Sequence, residues 1–143
     1  MESTGLHWLA QAAPDPDAFR EQWERSGLGL MLLPAGRRWD VLSVPGRLGR
    51  PVIDILDSRS CGPVLGDSAG ESVGFLVPVG TAARWVGTGV RCAGEGTWIV
   101  VPHPERRNRG VCWLVPPDGS GRLNDPVVLE LALHEAAARL SDW

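Results

Sequence analysis

The chain has 143 residues, no lysine, and a formal net charge of −3 despite 14 arginines. That length is one domain's worth and supports an ordinary hydrophobic core without staples, and a composition 43% hydrophobic and 22% charged excludes a disordered chain. The negative balance excludes attraction to phosphate backbones by overall charge, so a nucleic-acid contact would need a local basic patch.

From the N-terminus, residues 3–12 read as a short helix, capped by Ser3 or Thr4 and stopped by Pro14, with Leu6, Leu9 and Ala13 on one face. Asp15-Pro16-Asp17 opens a second helix, because Asp caps and Pro fits a first turn. Phe19, Trp23 and Ser26 share its inner side, Arg20, Glu21, Glu24 and Arg25 its wet side, and Gly27 ends it. Leu28–Leu33 is a continuous apolar run too short for an independent helix, so a buried strand is expected. Pro34–Gly36 turns the chain into a second strand, Trp39–Pro45, and the short link predicts that the two strands form a hairpin.

Residues 46–58 carry Leu48, Val52, Ile55 and Leu56 at helical spacing, with Pro51 in or near the first turn. Residues 62–66 and 73–79 read as strands joined by the Asp67–Gly70 turn, and residues 81–85 as a single helical turn. Residues 97–101 and 111–115 are two further strands around a charged loop. The closing helix is the clearest element. Asn124 or Asp125 caps it, Pro126 opens it, and Leu129, Leu133, Ala136 and Leu140 form its core stripe. The fold class expected is α+β: a single domain over 1–143, with a helical part at 1–27, a mainly antiparallel sheet core at 28–119 and a C-terminal helix at 124–141.

Cys61, Cys92 and Cys112 are odd in number and lack ligand spacing, so no metal site or disulfide framework is expected, and reduced thiols point to the cytoplasm. No stretch approaches ~18 apolar residues, so no membrane span is expected. All-arginine basicity with abundant Gly, Pro and Ala reads as the coding bias of a GC-rich bacterium. It is therefore no nucleic-acid signal in itself. Seven Trp against two Phe and no Tyr make Trp the main aromatic packing residue, with one or two free for docking.

Chemistry-bearing groups are sparse. His7, His103 and His134 lie in separate elements; His103, between two prolines at a strand exit, is the candidate for ligand contact. No phosphate-binding or nucleophile motif is present, and without lysine there is no Schiff-base chemistry. Asp54 and Asp57 are neighbours on a helix, and Asp40 stands alone at a strand start. Arginine is the group that remains. Arg37 and Arg38 flank the first turn, Arg47 and Arg50 follow the second strand, and Arg106, Arg107 and Arg109 crowd one loop. At loop tips such side chains suit phosphates or acidic partners, and if the groups share a face they make a binding surface with Trp39 and Trp113.

Met31–Gly36 followed by Trp39–Gly46 and Gly49, then Phe75–Gly80, then Trp98–Pro104 and Gly110–Trp113, resemble the N-terminal domain of bacterial bifunctional primase-polymerases. That family belongs to the archaeo-eukaryotic primase superfamily. The resemblance implies a primase-polymerase-like scaffold with a D-x-D pair ending the second strand and a metal-proximal His on the Phe75 strand. Here the acid positions correspond to Ser43 and Pro45, and Glu71–Phe75 contains no His. The resemblance therefore implies a catalytically inactive domain reused for binding or regulation, with no metal and no cofactor. A protein is the expected partner, with nucleic acid second because of the net charge. Two alternatives stand beside it. One is an active metal-dependent nucleotidyltransferase with relocated acids at Asp40, Asp54 and Asp57. The other is a small-molecule-binding or structural domain, which gains weight if the strands of 28–45 and of 97–115 are not paired.

Overall fold

The computed structural model describes residues 4–26, 29–67, 69–87, 89–104 and 110–141. The elements run α1 (Thr4–Ala10), α2 (Pro16–Ser26), β1 (Leu30–Pro34), β2 (Asp40–Pro45), α3 (Gly46–Ser60), β3 (Val64–Asp67), β4 (Ser72–Val77), α4 (Thr81–Arg84), β5 (Arg91–Ala93), β6 (Trp98–Pro102), β7 (Val111–Val115) and α5 (Pro126–Ser141). The domain is α+β with antiparallel strands and helices at both ends, as the periodicity predicts. No described helix is long and apolar enough to cross a membrane.

Five strands form one sheet in the order β5-β2-β4-β3-β7, and β1 and β6 form a separate two-stranded ribbon. The predicted hairpin is absent: β1 pairs with β6, while β2 pairs with β4 and β5. The 97–115 strands are likewise unpaired with each other, because β7 pairs with β3. The turn between β1 and β2 does form, with the Gly36 N–H donating to the Trp39 carbonyl at 2.8 Å and Gly36 at φ +89°. Both strands then meet burial on different layers. Leu33 and Trp39 enter the same core from ribbon and sheet, so side-chain burial overrides the local hairpin signal.

The sheet is apolar on both faces, with strand alternation assigning each residue its side. Leu42, Val44, Val64, Val73, Phe75 and Val77 pack with Val52 and Leu56 of α3 and Leu129, Leu133 and Ala136 of α5. Val41, Leu65 and Leu76 point the other way, into a core with Leu6 and Leu9 of α1, Phe19 and Trp23 of α2, and Leu33 and Val101 of the ribbon. Leu140, expected in the core stripe of α5, is 40% exposed, and Ala132 takes its share of the burial.

Two polar anchors tie the layers. Asn124 is buried rather than capping: its Oδ1 accepts the Gly62 N–H at 2.8 Å, and its Nδ2 donates to the Pro63 and Leu76 carbonyls at 3.0 Å each. Asp125 caps α5 instead, accepting the Val127 N–H at 2.9 Å. At the other anchor, α3 starts against the β3–β4 turn so closely that a Cβ on Gly46 would lie 1.8 Å from the Gly70 carbonyl oxygen. Only glycine fits there.

Candidate functional site

The arginine groups do not converge as a set. Arg37 and Arg38 are exposed on the turn before β2, where Arg38 Nε donates to the Gln11 carbonyl at 3.4 Å. Arg47 and Arg50 are exposed on the first turns of α3, after β2. The whole length of β2, roughly 20 Å for six extended residues, lies between the two pairs. Arg106, Arg107 and Arg109 lie outside the described residues.

The remaining candidates are packing groups. Trp39 has no exposed surface. His103 is buried, with its ring edge-on to Trp23 at 5.2 Å and its backbone N–H on the Gly29 carbonyl at 2.8 Å. Trp113 is half-buried, its indole Nε1 donating to the Pro102 carbonyl at 2.7 Å. Of the two prolines beside His103, Pro102 accepts the Trp113 indole N–H and Pro104 lies against Gly5 of α1.

The acids are likewise committed or dispersed. Asp40 is 2% exposed, and its Oδ2 accepts the N–H groups of Gly80 at 2.9 Å and Ala82 at 3.0 Å. It holds the turn that starts α4. Asp54 is exposed on α3, and the Asp57 side chain lies outside the described part. Asp67 accepts the backbone N–H groups of Glu71 and Ser72 and the Ser72 hydroxyl. The Glu71 N–H is the largest cause of an Asp67 pKa below the ordinary 3.8; desolvation opposes it, and the bonds from the Ser72 hydroxyl and N–H add to the lowering. Among the described residues no three His, Cys, Asp or Glu side chains gather where a metal could sit.

Two concave regions remain. The first lies at the end of β2, where the primase-polymerase resemblance would put acids. A cavity of about 370 Å³ is lined by Ser43, Val44, Pro45, Glu71, Ser72, Gly89 and Arg91. A smaller one of about 160 Å³ shares Ser43 and Ser72 with it and runs on beneath the ribbon to Ile99. Ser43 faces Gly74 across the β2–β4 ladder, so no side chain opposite fills this end of the cleft.

The second is a groove of about 750 Å³ between α2 and the β1–β6 ribbon. Leu32 sits opposite Val100 and Pro34 opposite Trp98 in the ribbon register, so these residues share its outer face. Leu32 is 55% and Trp98 56% exposed, and Phe19 and Ala18 of α2 form the facing wall. The sequence held a sign of this groove. Leu30–Leu33 and Trp98–Val101 are apolar at every position, one face more than a ribbon lying on a core needs. The free thiols divide similarly into a buried Cys61, pushed up to about 11 by burial, a half-buried Cys112 and an exposed Cys92. In comparisons with known proteins, no family model, no curated protein and no solved structure matches this chain.

Proposed function

We propose that this chain is a catalytically inactive primase-polymerase-like domain used as a binding module, with a protein as its partner. The observation that carries the binding role is the groove between α2 and the ribbon, where Leu32, Trp98 and Val100 stand exposed together. Exposed large apolar side chains grouped on one concave surface mark interaction sites. The scaffold part of the reading rests on the resemblance: its acid positions are Ser43 and Pro45, and neither side chain can carry a metal's charge. The absent pairings within 28–45 and within 97–115 both move weight away from that resemblance, whereas the groove favours a binding role whichever ancestry is right. Protein is preferred to nucleic acid because the candidate arginines within the described residues, Arg37 and Arg38 against Arg47 and Arg50, are split between the two ends of β2.

One observation favours a second reading, a small-molecule site. The cavity at the end of β2 brings two hydroxyls, one carboxylate and one guanidinium to a space of about 370 Å³, the size of small-ligand pockets.

The test is primer synthesis with Mg²⁺ or Mn²⁺ by the purified protein, run beside anisotropy titrations of labelled single-stranded DNA and RNA at low and physiological salt. The expected result is no primer and no salt-sensitive binding. Primer synthesis would end the inactive reading. Salt-sensitive binding that weakens in Arg47→Ala or Arg50→Ala would transfer the partner class to nucleic acid.

A further inference from the structure

The ribbon register decides which backbone groups of β1 are engaged. The His103 N–H donates to the Gly29 carbonyl at 2.8 Å, and the Ala35 N–H to the Thr97 carbonyl at 2.8 Å. Those pairs belong to the same antiparallel register as Leu30↔Pro102 through Pro34↔Trp98. Bonded and non-bonded pairs alternate in such a ladder. Met31 and Leu33 therefore aim their N–H and C=O at β6, while Leu30 and Leu32 aim theirs away from it. The two prolines agree. Pro102 sits opposite Leu30 and Pro34 opposite Trp98, both at non-bonded pairs where a missing N–H costs the ladder nothing.

The outer edge of β1 thus presents the N–H and C=O of Leu30 and Leu32, and no described strand pairs with it. Natural edges are usually blunted by charge or a bulge. This one has neither over Leu30–Leu33, and it runs along the groove that α2 walls on the other side. We propose that the groove takes one extended segment of a partner protein, which adds to β1 as a third strand and lays its alternate apolar side chains on Leu32, Val100 and Trp98. This rests on the binding-module reading above and names its mode.

Three features choose this occupant. The α2 wall bounds the groove on the side away from β1, and a single strand fits there more readily than a second copy's two-stranded ribbon. The exposed parts of Leu32, Trp98 and Val100 amount to on the order of 300 Å², well below the roughly 800 Å² per partner of a stable protein interface. Asp15 is the one charged residue among the described lining, so a basic residue at one end of the segment complements it. Pro34 ends the available edge and limits pairing to about four residues.

The experiment is panning of a phage-displayed library of random dodecapeptides on the full chain, followed by synthesis of the selected peptides. The selected sequences should alternate apolar and polar residues with a basic residue at one end, and should shift the amide resonances of Leu30 and Leu32. N-methylation of alternate peptide residues should weaken binding about tenfold or more. Leu32→Pro, which removes an outward N–H together with the Leu32 side chain, should do the same while leaving the β1–β6 cross-peaks in place, and Leu32→Ala, which keeps the N–H, should weaken binding less. Peptides with apolar spacing of three and four that bind through the groove and ignore both changes would overturn strand addition and leave the binding-module reading standing. Selected peptides indifferent to Trp98→Ser would overturn both. Protection of the Leu30 and Leu32 amides that grows with protein concentration alone would assign the edge to a second copy and overturn the partner proposal.

Discussion

Asp40 holds Gly80 across the end of the sheet: one carboxylate oxygen, Oδ2, accepts the N–H of Gly80 at 2.9 Å and that of Ala82 at 3.0 Å. Asp40 pairs with Val77 at the end of β4, so this contact fixes how the chain leaves β4 and enters α4. Asp40→Ala strands two backbone donors beside a buried site. The expected cost is about 2–4 kcal/mol, read as a lower urea midpoint with an unchanged slope. A variant of normal stability would free Asp40 from its structural role and reopen it as a chemical group.

Asn124 gives a second anchor of the same kind with more bonds. Its amide satisfies Gly62, Pro63 and Leu76 at once, tying the β3 approach to β4 just before α5 begins. Asn124→Ala is expected to cost about 3 kcal/mol. Gly62→Ala is also destabilising, since a Cβ there would lie 2.7 Å from the Asn124 backbone nitrogen. The two changes act on one junction, so a double-mutant cycle by chemical denaturation should give a sum smaller than the separate losses.

Both anchors show where the sequence stops being legible. Asn124 and Asp125 offer the same capping chemistry, and spacing cannot tell which one turns inward. The C-terminal helix is readable because its burial follows one period, with Leu129, Ala132, Leu133 and Ala136 on one face. The β1–β2 hairpin was misread because a short link between apolar runs carries no record of a competing partner far along the chain, here β6. β5 left no trace: Arg91-Cys92-Ala93 is three residues long and mostly exposed. Trp39 and His103 looked like surface candidates because burial depends on which layer covers them. The groove is half legible: a run that is apolar at every position shows a second apolar face but not whether another layer covers it.

The thiols provide a check on layering. Cys61 is buried at the end of α3, and burial raises its pKa to about 11. Cys92 is exposed on β5, although desolvation and the nearby Asp40 charge raise its pKa too. With Ellman's reagent at neutral pH, Cys92 should react in the native protein and Cys61 only after unfolding. Equal native reactivity of the two would mean that the α3–sheet layer is open.

The Asp67 turn sets an acid limb of stability. Hydrogen bonds from Glu71 N–H and from Ser72 hold the folded-state pKa below the ordinary 3.8. A lowered folded pKa means that the carboxylate contributes stability above the unfolded value, and that this is lost as pH falls through the folded one. Thermal melts should therefore decline below about pH 4, more steeply in the parent than in Asp67→Asn. An unchanged slope in the variant would remove the turn as a contributor. Asp118, lowered by the Ser120 hydroxyl and N–H, acts in the same window, so Asp118→Asn is the control that separates the two.

Trp98 separates a binding surface from a structural one. Its side chain is 56% exposed on the outer face of the ribbon, with the core on the opposite face. Trp98→Ser should therefore change stability by no more than about 0.5 kcal/mol. The same variant removes the largest apolar element of the groove and should lower binding of an environment-sensitive dye such as ANS several-fold. A large fall in stability with unchanged dye binding would identify Trp98 as a packing residue, and the groove would lose its standing as the binding surface. Preserved stability with lost dye binding is the result expected of a side chain kept at the surface for a partner.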